Sequence, residues 1–141
     1  MYVAPDIPGA ADVLAWFGYW PTFHDAQVLS ITLNRSGESK VAIHAFEATD
    51  EVDARGFHVL RKHCLVTFCF EGVMRDQWGI TRTELAFFNE WNELSSAWVV
   101  KHEAGFELVL EGAVGLDGKI MCKEMSVRIE PYLPAQAEAS S

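Results

Sequence analysis

Residues 27–45 read QVLSITLNRSGESKVAIHA. In the first half Leu29, Ile31 and Leu33 alternate with Ser30, Thr32 and Asn34, and in the second Val41, Ile43 and Ala45 alternate with Ala42 and His44. A period of two puts successive side chains on opposite faces of a pleated strand, so each half predicts a strand with one buried face. Between them residues 36–39 supply a glycine and polar neighbours, the composition of a hairpin connection. The pair predicts an antiparallel hairpin, and an antiparallel sheet is the frame into which the remaining elements must fit.

Toward the N-terminus, Ala10, Val13, Leu14 and Phe17 follow helical spacing after Pro8, and Gly18 suits the residue just past a helix end. Pro21 argues against continuation of that helix. Toward the C-terminus, residues 64–71 place Val66, Phe68 and Phe70 on one face and Leu65, Thr67 and Cys69 on the other, the pattern of a strand covered on both sides. Further strand-like runs cover residues 97–102, 106–111 and 120–129, separated by Gly105 and by Asp117 with Gly118, a two-residue hairpin signal. Residues 47–56 are polar and predict a solvated loop. In residues 81–94, Thr81 and Glu84 match a capping box and Phe87, Trp91 and Leu94 share a helical stripe, which predicts a helical turn, with a strand ending in such a turn as the alternative. The fold class is therefore α+β: an antiparallel β meander or sandwich of six to seven strands, with a short N-terminal helix and one helical turn. Residues 1–133 form one expected globular domain, and residues 134–141, rich in Ala and Ser without periodicity, an expected flexible tail.

The chain has 141 residues, 50% of them hydrophobic, enough to close a core. Eleven Lys and Arg against twenty Asp and Glu leave a formal charge of -9, which repels phosphate backbones and draws in basic partners. Nucleic-acid binding is disfavoured. No apolar run approaches the ~20 residues of a membrane span, and MYVAPDIPGA lacks the basic start and apolar stretch of a secretion signal, so a cytoplasmic location is expected. Cys64, Cys69 and Cys122 form an odd set without a CxxC pair and lie in apolar runs, so they are read as free thiols of the core.

His24 beside Asp25 is the natural place to look for a general base, but no nucleophile, metal motif or oxyanion stabiliser accompanies it. A turn role for these two residues is the favoured reading. A metal site from His58, His63 and Cys64, completed by His24 or His44, matches no standard spacing. Nucleotide-loop, hydrolase, metalloprotease and calcium-loop motifs are all missing. The expectation is a protein without catalytic residues, metal or cofactor. Trp16, Phe17, Tyr19, Trp20 and Phe23 form an aromatic cluster, read either as local core or as a platform for a small molecule. The acids are unevenly placed. Glu47, Asp50, Glu51 and Asp53 form one run without a base, and Glu84, Glu90 and Glu93 form a second around Trp91. Such runs are read either as solvated faces or as a surface complementary to a basic protein, with Trp91 as its apolar anchor.

At FGYWPTFHDAQVLSI, residues 17–31, the chain resembles the opening of the immunity protein 50 family of bacterial polymorphic-toxin loci. The carrying string is an aromatic, Trp20 with Pro21, the Phe23-His24-Asp25 triplet and then a strand. FNEWN, residues 88–92, and GLDGKIMCKEMSVRIEP, residues 115–131, are similar to later parts of the same pattern. The resemblance implies a bacterial protein that binds and neutralises a cognate toxin without chemistry of its own. It assigns no residue to toxin contact, and it leaves Trp20, Phe23, His24 and Asp25 as a structural signature.

Overall fold

A computed structural model describes residues 3–34, 36–73, 84–86, 92–114 and 116–132. Helix α1, Ala10–Phe17, comes first and buries Ala10, Val13 and Phe17 on one face. Its start is set by Gly9, whose φ of 90° suits a residue without a side chain. A Cβ there would lie 1.7 Å from the carbonyl oxygen of Val127, so the glycine lets the chain lie against a strand. The Val127 amide donates to the Pro8 carbonyl at 2.9 Å in that contact. The helix ends at Gly18, φ 84°, whose amide donates to the Leu14 carbonyl at 2.7 Å.

Among the described residues seven strands follow: β1 Gln27–Thr32, β2 Ser39–Val52, β3 His58–Val73, β4 Glu84–Ala86, β5 Glu93–His102, β6 Gly105–Val114 and β7 Asp117–Pro131. All pairings among them are antiparallel, in the order β3-β2-β1-β5-β6-β7-β4, with an additional β3–β7 pairing. The α+β class and its antiparallel frame are therefore as expected. Two three-stranded meanders, β1-β2-β3 and β5-β6-β7, are joined along β3–β7 and again at β1–β5. The six long strands thus close into a ring, which leaves few sheet edges unpaired. The two joints differ greatly in length. The β3–β7 ladder runs from Cys64 opposite Pro131 to Val73 opposite Cys122. The β1–β5 joint has Gln27 opposite Glu93 as its one strand pair, supplemented by bonds of residues 22–28 to Asn92, Leu94 and Ala97.

One apolar cluster fills the interior: Val13 and Phe17 of the helix meet Val41, Ile43, Val66, Phe68 and Val127 of the sheet. Cys64, Cys69 and Cys122 are buried free thiols, and burial pushes the thiols of Cys64 and Cys122 up to about 12. Among the described residues no helix is long and apolar enough to cross a membrane.

Three local expectations are corrected, and in residues 81–94 the strand alternative holds at β4. In β1 the buried residue is Val28, while Leu29 and Leu33 face solvent. The reason is a bulge: Val28 pairs with Ile43 and Ser30 with Ala42, so the added residue moves Leu29 outward and returns Ile31 to the side of Val41. Residues 47–52 are not loop but the outer half of β2, held by β3, where Glu47 faces Arg61 and Ala48 faces Leu60. Asp117 and Gly118 do not form the β6–β7 turn; they begin β7, opposite Ala86 and Leu85, and β6 runs on past the Leu110–Gly118 pair to Val114, paired there with β5. Glu84 lies in strand β4 and Leu94 in β5. The other carriers of the expected helical turn, Thr81, Phe87 and Trp91, lie outside the described residues, as does the expected tail at 134–141.

Candidate partner-binding surface

The β2–β3 hairpin is the longest element, and its two halves have different surroundings. From Ser39 to Ala45 the inward residues of β2 are buried, whereas Ala48, Asp50, Glu51 and Val52 are exposed. The same change occurs along β3, where residues 60–62 are exposed and Cys64, Val66 and Phe68 are buried. The outer half of the hairpin therefore stands clear of the core.

Its tip is tightly organised. The Asp53 amide donates to the Phe57 carbonyl at 2.8 Å, and the Gly56 amide donates to the Asp53 carbonyl at 3.0 Å. Asp53 Oδ1 accepts the amides of Arg55 at 2.8 Å and Phe57 at 3.0 Å. Gly56, with φ 86°, supplies the left-handed residue that closes a three-residue hairpin loop. Behind the tip, Thr49 Oγ1 donates to the Val59 carbonyl at 2.7 Å and His58 Nδ1 to the Thr49 carbonyl at 2.9 Å.

On this rigid frame sit three large apolar side chains in solvent: Val52 at 53% exposure, Phe57 at 64% and Leu60 at 41%. Phe57 carries the Arg55 guanidinium 5.6 Å from its ring centre. These three residues are the part of the surface that charge-based reading missed. The signal was present, because Val52 and Phe57 flank Asp53-Ala54-Arg55-Gly56, an Asp-to-Gly turn signature, and apolar residues beside a turn in a polar stretch have no core to enter.

The acids of this hairpin are largely engaged. Glu47 lies 3.3 Å from Lys62 Nζ, and Glu51 pairs with Arg61. Tyr19 also meets Glu47, and burial, followed by the charge and hydrogen bond of that carboxylate, raises its phenol above the usual value. Asp53 holds the turn, which leaves Asp50 exposed with no partner among the described residues. Four acids without a base in sequence thus become, across the ladder, a framework balanced by Arg61 and Lys62.

Of the second run, Glu84 lies in β4 opposite Lys119, and Glu93 is partly buried at the start of β5. Glu90 and Trp91 lie outside the described residues. Among the described residues, nothing joins Glu93 to the hairpin tip.

The Phe-His-Asp triplet is a turn with unusual backbone geometry. Phe23 and Asp25 have φ of 63° and 64°, in the left-handed region that costs side-chain-bearing residues energy. Three contacts hold it: Phe23 is buried edge-on to Phe68 at 5.9 Å, the Asp25 amide donates to the Leu94 carbonyl at 2.9 Å, and His24 Nδ1 donates to the Ser95 carbonyl at 3.0 Å. His24 Nε2 lies 3.5 Å from Asp25 Oδ2, both side chains being more than half exposed. The triplet fastens the start of β1 to β5. Phe17, Trp20 and Phe23 are core, and the cleft beside Phe23 and Tyr19 measures only about 140 Å³. That is well under the ~300 Å³ of small ligand pockets, so the aromatic cluster offers little room for a small molecule.

Of the histidines considered as ligands, His44 Nε2 and His63 Nδ1 face one another at 3.0 Å, while Cys64 is turned into the core. Among the described residues no three His, Cys, Asp or Glu side chains are grouped to hold a metal ion. Comparison with protein-family models, with curated proteins and with solved structures finds no match to this chain.

Proposed function

We propose that this protein works by contact alone, as a cytoplasmic immunity-type inhibitor that binds and neutralises a basic bacterial toxin. The observation that carries the reading is the β2–β3 tip, where Val52, Phe57 and Leu60 stand exposed on a turn fixed by Asp53. A large side chain held rigidly in water costs free energy in the monomer, and it loses little entropy when a partner covers it. Small groups of such residues, aromatics foremost, dominate protein interfaces. Two further features support the reading: the resemblance at residues 17–31 to the immunity protein 50 family, and the charge of -9, which speeds encounter with a basic partner.

The test is co-expression with the product of the adjacent reading frame, capture of the complex and titration of the separated partners. Phe57→Asp with Val52→Asp is expected to weaken the complex by about 30-fold or more, as loss of an interface anchor does. Asp50→Lys is expected to slow association at low salt, with a smaller effect at high salt. A complex whose affinity and salt dependence survive these changes in a folded variant would rule out the hairpin as the contact. Absence of any complex, and of any protection of cells from the neighbouring protein, would rule out the inhibitor reading itself.

A further inference from the structure

Remote from the hairpin tip, a cleft of about 570 Å³ is lined by residues of β1, β2, β3 and β7, with Asp12 of α1 beside them. Its form follows from the ladder. Ser30, Ala42, Thr67 and Arg128 lie in one row across the four strands, because Ser30 pairs with Ala42, Ala42 with Thr67 and Thr67 with Arg128. In the next row Thr32 pairs with Lys40, and Lys40 with Cys69. Small side chains thus occupy the centre, and longer ones stand around them. Ser30, Thr32 and Thr67 bring hydroxyl-bearing side chains to the lining, and Lys40 and Arg128 bring two cations.

What those cations do is specific. Lys40 Nζ lies 3.5 Å and Arg128 Nη2 3.4 Å from the same oxygen, Oε1 of Glu38. Arg128 Nη2 is also 3.2 Å from Cys69 Sγ, which fixes the guanidinium over the thiol. Two positive groups converge on one carboxylate oxygen, yet each stops well short of the ~2.8 Å of a charge-assisted hydrogen bond. Glu38 comes from the β1–β2 turn beside Gly37, and its side chain is 40% exposed. Exposed pairs of this length contribute little and exchange readily. The geometry points to an oxyanion site occupied by the protein's own carboxylate as a loose substitute. We infer that this cleft binds a small hydroxylated oxyanion, a phosphate monoester or a carboxylate, whose charged group displaces Glu38 from Lys40 and Arg128 while its polar body rests on Ser30, Thr32 and Thr67. Asp12 and Glu130 in the cleft, and Glu71 and Glu124 in the adjoining depression that Glu38 lines, confine the ligand's charge to the one group that meets Lys40 and Arg128. This site is independent of the hairpin reading.

Glu38 makes the inference testable by a gain as well as a loss. The probes are inorganic phosphate, acetate, glucose 6-phosphate and gluconate, each titrated into the full chain at constant ionic strength and followed by amide chemical shifts of residues 30, 32 and 67. Saturable shifts are expected with at least one hydroxylated probe, at lower concentration than with its simple ion, and the better of the two hydroxylated probes distinguishes phosphate from carboxylate. Glu38→Gln removes the internal competitor and is expected to tighten binding by about tenfold, whereas Arg128→Gln weakens it by at least as much. The spectrum away from the cleft reports whether each variant is folded, and Lys40→Gln serves in place of Arg128→Gln if the latter is not. Shifts that do not saturate, or that are the same in wild type, Glu38→Gln and a cation variant, would overturn the proposal.

Discussion

Gly9 shows how much one missing Cβ can decide. The close approach of residues 8 and 9 to β7 sets where α1 begins and lets Val13 and Phe17 enter the core. Gly9→Ala places a methyl 1.7 Å from a backbone oxygen in a left-handed conformation, so the contact must open. The expected cost is about 3 kcal/mol or more, read as a fall in the denaturation midpoint, whereas Gly18→Ala meets no atom within 4 Å and carries only its conformational strain, about 1 kcal/mol. The buried thiols give a second residue-scale expectation. Cys64 and Cys122 hold their protons up to about 12 in the folded chain, above the ~8.5 of an unfolded thiol. The folded state then binds more protons than the unfolded state between those values, so stability is intact below pH ~8.5 and falls as pH rises toward 12. The slope approaches about 1.4 kcal/mol per pH unit for each thiol, and urea titrations from pH 8 to 11 would show it. Replacement of both by Ala or Val should flatten that profile. The core placement of these cysteines was legible from their apolar neighbours, whereas the left-handed geometry of Phe23 and Asp25 was not, because it is imposed by β5 through Leu94 and Ser95.

At the scale of the element, alternation identified β1 and its inward Ile31 but assigned to Leu29 the core place that Val28 takes. Leu29, Ile31 and Leu33 keep a perfect period of two in the sequence, and a bulge is invisible to that period because the partner strand creates it. The two faces make different demands on mutation. Val28→Ala should cost about 2 kcal/mol through the space left in the core, while Leu29→Ser should change stability by less than about 0.5 kcal/mol. A reversed order of these effects would restore the unbulged register. The β2–β3 hairpin teaches a related lesson. Residues 47–52 read as loop because they are polar, but polarity marks exposure and not irregularity, and a strand needs only a partner to satisfy its backbone. Arg61 and Lys62 lie far along the chain from the acids they neutralise, so the run of acids was legible as composition and not as surface.

For the whole molecule, closure of the ring distributes stability unevenly. The β3–β7 joint is a long ladder, and the β1–β5 joint rests on one strand pair and a few bonds from residues 22–28. Regions open independently according to the contacts that hold them. The amides of Val28, Leu94 and Ala97, which bridge the shorter joint, are therefore expected to exchange with solvent faster than those of Thr67 and Arg128, which face one another across the longer one. Native-state hydrogen exchange measures this directly, and equal protection at both joints would show that the ring opens only as a unit. The antiparallel class, the N-terminal helix and most strands could be read from residue patterns, since each depends on local periodicity. Which strands meet to close the ring could not, because that depends on pairings between residues 64–73 and 122–131, chosen in competition with every other strand.

The separation of the β2–β3 tip from the core has a consequence for how such a protein can change over generations. Val52, Phe57 and Leu60 contribute nothing to the buried cluster, so their replacement is nearly free of folding penalty. The turn that presents them is held by Asp53 and Gly56, with Thr49 and His58 behind it. On the proposed contact, positions 52, 57 and 60 can change what they recognise while the bonds of Thr49, Asp53 and His58 keep the hairpin in place. Exchange of those three side chains for other apolar or aromatic ones should leave the melting temperature nearly where it was.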